Sequence, residues 1–386
     1  MLNDFSFSSV PDVRIGIGSS SELGACARNL SIKHVLLVTD AEILGLGLLD
    51  SALASLKKSG IAATVFSEVV ADPAESVVLA GLEFAQGAGC DGVIGFGGGS
   101  SLDVAKLLAV LILGNQSLSE IYGVDQIDGA RLPLIQVPTT AGTGSEATMV
   151  SIITTGKTTK AGVVSRVLLA DNIILDASLT EGLPAHVTAA TGIDAMVHAI
   201  EAFTSARLKN PLSDMLAKEG LSMLSANISK AVHIGSDLAA RQEMLVGAML
   251  AGQAFANAPV AAVHALAYPL GGNYHIPHGL SNSLVLPHVL RFNEPYAGSL
   301  YHQLVPSIFN CGKRSATKSQ ATAILAEYFF ELAKDFGLPI ALRDTGIPEH
   351  DLETLAEEAM LQTRLLINNP RDMEKSDALA IYRQAF

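Results

Sequence analysis

The amino-acid sequence predicts an α/β N-terminal domain of Rossmann-like type followed by an all-α C-terminal domain. In the first half, short β-branched runs alternate with helical patterns, whereas beyond residue 183 nearly every segment has a helical pattern. The length of 386 residues also exceeds what one ordinary core requires. We therefore place the boundary near Glu181–Pro184 and predict domains 1–182 and 183–386, with a ligand site expected between them.

The elements of the first domain follow one another regularly. Its predicted strands span 34–39, 63–66, 92–96 and 134–137, and its predicted helices span 50–59, 76–87 and 102–113. This alternation predicts a parallel sheet with helices on its faces. Residues 149–175 add further β-rich runs. The clearest helices of the second domain are 188–206, 212–230, 237–257 and 318–336, and prolines at 211, 259, 269, 277 and 287 are expected to separate its segments.

Composition excludes several classes of protein. A net charge of −13 argues against a nucleic-acid partner, because phosphate backbones attract basic surfaces. The widely spaced Cys26, Cys90 and Cys311 form neither a CxxC pattern nor a disulfide framework, which favours the reducing cytoplasm. We expect no signal peptide, and the longest apolar stretch, 107–113, is far shorter than the ~20 residues of a membrane helix.

A glycine-rich turn lies at 92–106, GVIGFGGGSSLDVAK. A predicted strand ends at Phe96, three glycines follow, and a helix is expected to open at Ser100 or Ser101. Consecutive glycines let a ligand approach the backbone, and a helix N-terminus attracts anions, so this turn suits a pyrophosphate. The GxGxxG fingerprint is absent. The alternative is a plain strand-to-helix turn, in which Ser100 and Asp103 form a capping box.

Two further segments follow predicted strands. Asp40 comes directly after the first strand. A carboxylate there can accept hydrogen bonds from the ribose hydroxyls and repel a 2′-phosphate, which favours NAD over NADP. The alternative is an aspartate that caps the next turn. Residues 138–146, PTTAGTGSE, suit a ligand at the carboxyl end of a strand, although similar loops also occur without one.

One acidic and three histidine side chains form a candidate metal site. Asp194 and His198 are four residues apart and project from one helix face, and His264 and His278 follow later. One carboxylate and three imidazoles suit Zn²⁺ or Fe²⁺ rather than Mg²⁺ or Ca²⁺. The alternative is ordinary core or surface histidines, since the chain contains 10. The apolar surroundings of Asp194 favour the metal, because an unpaired buried carboxylate is costly.

These segments resemble the iron-containing (group III) alcohol dehydrogenases, the family that includes lactaldehyde reductases and 1,3-propanediol dehydrogenases. The shared motifs run nearly end to end: GFGGGSSLDVAK, PTTAGTGSE, AATGIDAMVHAIEAF, AGQAFANA, VHALAYPLGG, IPHG and LPHVLRFN. The resemblance implies the dehydroquinate synthase-like fold, with a dinucleotide-binding domain at 1–182 and a helical metal-binding domain at 183–386.

The resemblance also assigns roles to residues. It implies that the metal ligands are Asp194, His198, His264 and His278. It implies that the pyrophosphate contacts are Gly98, Gly99 and Ser100, that further nucleotide contacts are Thr139, Thr140 and Gly142, and that Thr148, Val150 and Lys160 line the cofactor. In this family the position of Asp40 favours NAD.

The chain departs from the family pattern at two positions. The family usually has a second histidine four residues after the third ligand, where this chain has Tyr268. That histidine is linked to proton relay, so Tyr268 or His275 is the expected substitute. Asp72 replaces the family's usual asparagine, and we expect this to change the cofactor contact only modestly.

The implied function is a metal-dependent alcohol dehydrogenase or aldehyde reductase. It would transfer hydride between a small alcohol and NAD at one Fe²⁺, or alternatively Zn²⁺, as a homodimer or larger homo-oligomer. Phe255 and Thr148 suggest a mostly apolar substrate. The alternatives are a glycerol or polyol dehydrogenase, a dehydroquinate synthase-like lyase, which would need a basic pocket, and a binding protein without catalysis.

Overall fold

The computed structural model describes residues 4–156, 159–309 and 317–386. The chain divides into two compact units. One is Ser8–Gly182, and the other is Leu183–Phe386 together with the N-terminal residues up to Phe7. The division after Gly182 falls inside the region where the sequence pattern changes. Cys26 and Cys90 are buried free thiols, and Cys311 lies outside the described residues.

The α/β unit is built on a six-stranded parallel sheet with the order β1-β9-β6-β4-β2-β3. A smaller sheet, β5-β8-β7, contains the antiparallel β7–β8 hairpin. The strands are β1 (Asp12–Ile15), β2 (His34–Asp40), β3 (Ala62–Val69), β4 (Gly92–Gly97), β5 (Gly123–Val124), β6 (Leu134–Pro138), β7 (Val150–Thr155), β8 (Thr159–Val164) and β9 (Asn172–Leu175). The predicted fold class is confirmed, because continuous β-branched runs such as 34–39 form central strands buried on both faces.

Five helices accompany this sheet. They are α1 (Leu23–Asn29), α2 (Ala41–Gly45), α3 (Asp50–Lys58), α4 (Glu75–Gln86) and α5 (Gly99–Leu113). Helix α5 is apolar for most of its length and packs against β2, β4 and β6. It therefore lies across the centre of the sheet, with its N-terminus at the carboxyl end of β4. The ends of parallel strands are where α/β folds bind ligands.

The second unit is helical, as predicted. Its helices are α6 (Ala185–Thr204), α7 (Pro211–His233), α8 (Leu238–Asn257), α9 (Ala262–Tyr274), α10 (His278–Ile308), α11 (Lys318–Asp335), α12 (Leu352–Met360), α13 (Thr363–Leu366) and α14 (Lys375–Ala385). Helix α6 packs against α7, α8 and α10. It is buried on every side over its second half, from Ile193 to Thr204. A helix buried on all sides holds its side chains in fixed positions, which suits a metal site.

The expectation that prolines separate the helices is wrong at two positions. Pro211 begins α7 and Pro277 caps α10, but Pro269 lies inside α9 and Pro287 inside α10. A proline inside a helix removes one backbone hydrogen bond. One neighbour of each internal proline, Leu270 and Leu286, is fully buried, and such packing offsets the lost hydrogen bond.

No single helix in the described ranges is both long and apolar enough to cross a membrane. Helices α8 and α9 reach that length and composition only as a pair, which is bent by 107° at the break between them.

Candidate metal centre and nucleotide-binding turn

Three helices of the second unit bring the four predicted metal ligands together. Helix α6 carries Asp194 and His198 one turn apart, α9 carries His264 in its first turn, and α10 begins at His278. Their potential ligand atoms all lie within 4.8 Å of one another. Asp194 Oδ1 is 3.8 Å from His198 Nε2 and 3.7 Å from His278 Nε2. The side chains predicted from spacing and motif thus form one cluster.

A glycine permits the close approach of α10 to α6. A Cβ atom at Gly279 would lie 2.3 Å from the carbonyl oxygen of Ala190 and 3.3 Å from the Cβ of Asp194. No side chain fits there, so Gly279 allows the first turn of α10 to lie directly against the ligand face of α6. This contact places the preceding residue, His278, beside Asp194.

The cluster is buried on one side and open on the other. Asp194, His198 and His264 are buried, whereas the side chain of His278 is 40% exposed. Burial by itself would raise the pKa of Asp194, but the three histidines and a hydrogen bond from Asn282 outweigh it and lower that pKa. The carboxylate is therefore held in its charged form, the form that binds a cation.

Glu201 supports the third histidine from behind. Its carboxylate accepts the Nδ1–H of His264 at 2.6 Å, and it accepts the backbone N–H groups of Ala261 at 3.1 Å and Val263 at 2.7 Å. A proton on Nδ1 leaves Nε2 with its lone pair free for a metal. Sequence analysis missed Glu201, although it lies seven residues after Asp194 on the same helix.

Asn282 lies among the ligands. Its Nδ2 is 2.6 Å from Asp194 Oδ1, 3.2 Å from His278 Nε2 and 3.4 Å from His264 Nε2. Its Oδ1 is buried and has no hydrogen-bond partner in the described part of the chain. Sequence analysis missed this residue too, although it follows His278 by one helical turn.

The cluster fits a single divalent ion. Donors about 2.1 Å from one ion lie within about 4.2 Å of each other. The two separations from Asp194 Oδ1, 3.7 and 3.8 Å, meet that limit, and the four donors together lie within 4.8 Å. One carboxylate and three imidazoles match Fe²⁺ or Zn²⁺. In the protein alone, three of these donors converge on a single amide NH₂ group, that of Asn282. A cation can satisfy all of them at once.

An apolar wall lies beside the ligands. The Phe255 ring is 4.5 Å from the ring of His198, and the Tyr268 ring is 5.9 Å from that of His278. Phe255 and Tyr268 pack together with Val260, Leu365 and Leu366. The other predicted relay residue, His275, is exposed and ends α9 in a left-handed conformation with φ of 54°.

The glycine turn of the α/β unit begins its helix earlier than predicted. Helix α5 starts at Gly99 with Gly98 as its N-cap, not at Ser100 or Ser101, and no side chain caps it. The capping-box alternative for Ser100 and Asp103 is therefore wrong. The physical reason is that Gly98 takes the extended cap conformation itself, which places Ser100 within the first turn. The N-terminal N–H groups of α5 thus have no side-chain cap.

The Thr- and Gly-rich loop lies beside this turn. Strands β4 and β6 are parallel neighbours, and the Thr139 N–H donates to the Gly97 carbonyl at 3.0 Å. A Cβ atom at Gly98 would lie 3.8 Å from the side chain of Thr140. Gly142 is buried in the same loop. The two segments predicted to contact a nucleotide are therefore adjacent at one edge of the sheet.

Asp40 ends β2, next to β4 in the sheet. Its Oδ1 accepts the Ile43 N–H at 2.8 Å, so it caps α2, which confirms the alternative interpretation. The other oxygen, Oδ2, points towards Gly97, lying 3.6 Å from the position that a Cβ would take there. The ribose contact predicted for Asp40 would need this second oxygen.

Three residues predicted to line the cofactor bind other parts of the protein. The Thr148 hydroxyl and the Val150 carbonyl accept hydrogen bonds from Lys106, a buried lysine that sequence analysis missed. Lys160 forms an ion pair with Asp72 at 2.6 Å, and Asp72 has a positive φ of 53°. The replacement of asparagine by Asp72 therefore gives Lys160 a charged partner. Cofactor contacts from these residues remain predictions.

Comparison with known proteins matches both units. A family model described as iron-containing alcohol dehydrogenase matches residues 11–177, and the C-terminal model of the Fe-containing alcohol dehydrogenase family matches 188–386. The chain is 41% identical over 382 residues to long-chain-alcohol dehydrogenase 1 of Geobacillus thermodenitrificans, covering 97% of this chain and 95% of that protein. It is 35% identical to 1,3-propanediol dehydrogenase of Citrobacter freundii, covering 98% of each.

Solved structures give the same result. A 1,3-propanediol oxidoreductase matches with a TM-score of 0.95 and 34% identity over 100% of both chains. A sulfoacetaldehyde reductase from Bifidobacterium kashiwanohense in complex with NAD⁺ matches with a TM-score of 0.87 and 27% identity over 99% of each chain.

The fold, the four-residue cluster and these matches define a metal-dependent oxidoreductase of alcohols and aldehydes. The chain belongs to the iron-containing alcohol dehydrogenase family. The family is described as iron-containing, and the relatives of this chain include an NAD-dependent methanol dehydrogenase of Bacillus methanolicus and the reductase solved with NAD⁺. The predicted family and enzyme class are confirmed, and the comparisons favour neither the lyase nor the non-catalytic alternative.

Proposed function

We propose that Asp194, His198, His264 and His278 bind the catalytic ion. The single observation that carries this proposal is the convergence of their ligand atoms within 4.8 Å. When bound, the divalent ion supplies a Lewis acid for the oxygen of the alcohol or aldehyde, and NAD supplies the hydride acceptor. The protein fixes the donors and the charge of Asp194, and it leaves His278 as the exposed side of the site.

We propose that NAD binds at the glycine turn. The residues in this role are Gly98, Gly99, Ser100, Thr139, Thr140 and Gly142, with Asp40 at the ribose. Support comes from the start of α5, whose N-terminal N–H groups have no side-chain cap, and from the adjacent loop. A carboxylate at the ribose excludes a 2′-phosphate, so we expect a preference for NAD over NADP.

We propose Tyr268 as the group that passes the alcohol proton towards solvent. Its phenol lies at the rim of the site, beside the ring of the half-exposed His278. Hydroxyl groups can both accept and donate a proton in one relay. His275 is exposed at the end of α9, which suits the last step of such a relay better than contact with the reacting alcohol.

We propose a small, mostly apolar primary alcohol or its aldehyde as the substrate. Support comes from the apolar wall, in which Phe255, Val260, Leu365 and Leu366 offer a polyol no hydroxyl partner and the Tyr268 hydroxyl is assigned to the proton relay. We also propose a cytoplasmic homo-oligomer. Exposed Ile15 and Ile17, at and just after the edge strand β1, offer an apolar surface to a second copy.

The test is an NADH-coupled assay on enzyme stripped of metal and reloaded with Fe²⁺ or Zn²⁺. Linear primary alcohols of increasing length, 1,3-propanediol and glycerol would each be compared by kcat/KM, with the matching aldehydes in reverse. We expect linear alcohols to give the highest kcat/KM, and NADP to support less turnover than NAD. Glycerol as the best substrate would favour the polyol alternative, and no turnover with any alcohol or either metal would overturn the proposal.

A further inference from the structure

One buried cation in the α/β unit has no role in the reaction described above. Lys106 lies on α5 with 0% of its surface exposed. Its Nζ donates to the Val150 carbonyl at 2.7 Å, the Ser145 hydroxyl at 2.8 Å and the Thr148 hydroxyl at 3.0 Å, and Asp103 Oδ1 lies 3.3 Å away. All three ammonium protons therefore have acceptors, as a buried charge requires.

The residue one turn earlier on the same helix completes the arrangement. Asp103 accepts the Ser145 hydroxyl at 2.5 Å and the Ile152 N–H at 2.9 Å through its side chain, and its carbonyl accepts the Ser151 hydroxyl at 3.1 Å. Asp103 and Lys106 thus bind one stretch, 145–152, from one helix. We call these two residues the α5 clasp.

The clasp connects the two segments proposed to hold the pyrophosphate. One is the N-terminus of α5, two turns before Lys106. The other is the loop that leaves β6 at Thr139 and ends at the clasp at Ser145. At its start this loop is tied to the turn by the Thr139 N–H bond to Gly97, and at its end by the clasp. Both ends of the loop are therefore fixed to the β4–α5 connection.

The energetic cost of burying its charge and the geometry of its hydrogen bonds indicate that Lys106 does more than fill space. A leucine or methionine would fill the same volume without the penalty of burying a charge. A hydrogen-bond network in which every donor is paired fixes the distance between the elements that it joins. Apolar packing defines that distance less precisely. In a site made of backbone groups, a displacement of about 1 Å is enough to lower affinity greatly.

We propose that Lys106 is a positioning residue for NAD. It sets the distance between the α5 N-terminus and the 139–145 loop, so that both contact one pyrophosphate. This inference rests on the nucleotide contacts proposed above. It adds a residue that touches neither cofactor nor substrate, and it gives Thr148 and Val150 a second role as acceptors of Lys106.

The test is the variant Lys106→Met, which keeps the length of the side chain and removes its three donors. We expect the Kd for NADH, measured by the fluorescence of the bound nucleotide, to rise ~10-fold or more, with an equal rise in KM for NAD. The kcat at saturating NAD, the KM for the alcohol and the bound metal should stay within about 2-fold of the wild type, well under a tenfold change.

Leu108→Ala is the matched control. Leu108 is equally buried on α5 but packs beside Gly81 of α4, away from the loop. This variant should lower Tm at least as much as Lys106→Met and leave the Kd for NADH unchanged. An equal loss of NADH affinity in both variants, or wild-type affinity in Lys106→Met, would overturn the inference.

A milder variant covers the case in which Lys106→Met does not fold. Ser145→Ala removes one acceptor of Lys106 and keeps its charge paired with Asp103. This variant should raise the KM for NAD without changing the KM for the alcohol, and a wild-type KM for NAD would contradict the role. Absence of NADH binding in the wild-type enzyme would instead count against the proposed nucleotide site itself.

Discussion

The helical unit builds its proposed site from side chains, whereas the α/β unit builds its proposed site mainly from backbone. Asp194 and the three histidines converge from three helices, and each contributes one donor. The glycine turn instead offers N–H groups of α5 and a loop held in place by Lys106. The first site is therefore sensitive to loss of a single side chain, and the second is sensitive to small displacements of the main chain.

The largest expected effect distinguishes the proposed metal site from the proposed nucleotide site. His264→Ala removes one of the four proposed ligands and leaves Glu201 without its histidine partner. We expect metal content and turnover to be lost, while NADH binding is retained, because the proposed nucleotide contacts lie in the other unit. Metal analysis and an NADH titration of the same sample measure both. A variant that stays active and metal-loaded would show that the ligands are wrongly assigned.

A smaller effect on metal binding is expected from Glu201, which contacts His264 rather than the ion. Glu201→Gln keeps the size of the side chain and removes the charge that accepts His264 Nδ1–H. We expect metal affinity, measured by competition with a chelator, to fall about 10- to 100-fold, and excess metal to restore much of kcat. Glu243→Gln, on the exposed face of α8, is the control and should retain metal as the wild type does. Unchanged affinity in Glu201→Gln would mean that the side chain only holds the backbone of 261–263.

The smallest of the three effects tests the backbone site. A Cβ at Gly98 meets no protein atom closer than 3.8 Å, so Gly98→Ala should fold normally. If the pyrophosphate lies against this residue, the methyl group occupies its space, and we expect the KM for NAD to rise ~10-fold with metal content unchanged. An unchanged KM would place the cofactor elsewhere on the unit.

The sequence predicted the parts of the molecule that depend on local patterns. Buried strands such as 34–39 and the Asp194–His198 pair follow from side-chain periodicity, and motif resemblance supplied His264 and His278. The start of α5 was misplaced because a glycine cap leaves no side-chain signal. Glu201, Asn282 and Lys106 were missed because their contacts with His264, Asp194 and Ser145 join positions 39 or more residues apart along the chain. No periodicity records such contacts.

A residue beside the α5 clasp makes the stability of the α/β unit depend on pH. Glu146 is buried there, and burial raises its pKa from 4.5 to about 7. The folded chain therefore keeps a proton that the unfolded chain has released, and between pH 4.5 and about 7 each step towards alkaline conditions lowers the free energy of unfolding. Thermal unfolding should show that Tm declines as the pH rises across this window, and Glu146→Gln should remove the decline. An identical decline in the wild type and the variant would assign it to another titrating group. The turn that follows the loop inferred to seat a nucleotide anion thus holds its own carboxyl group neutral in mildly acidic solution.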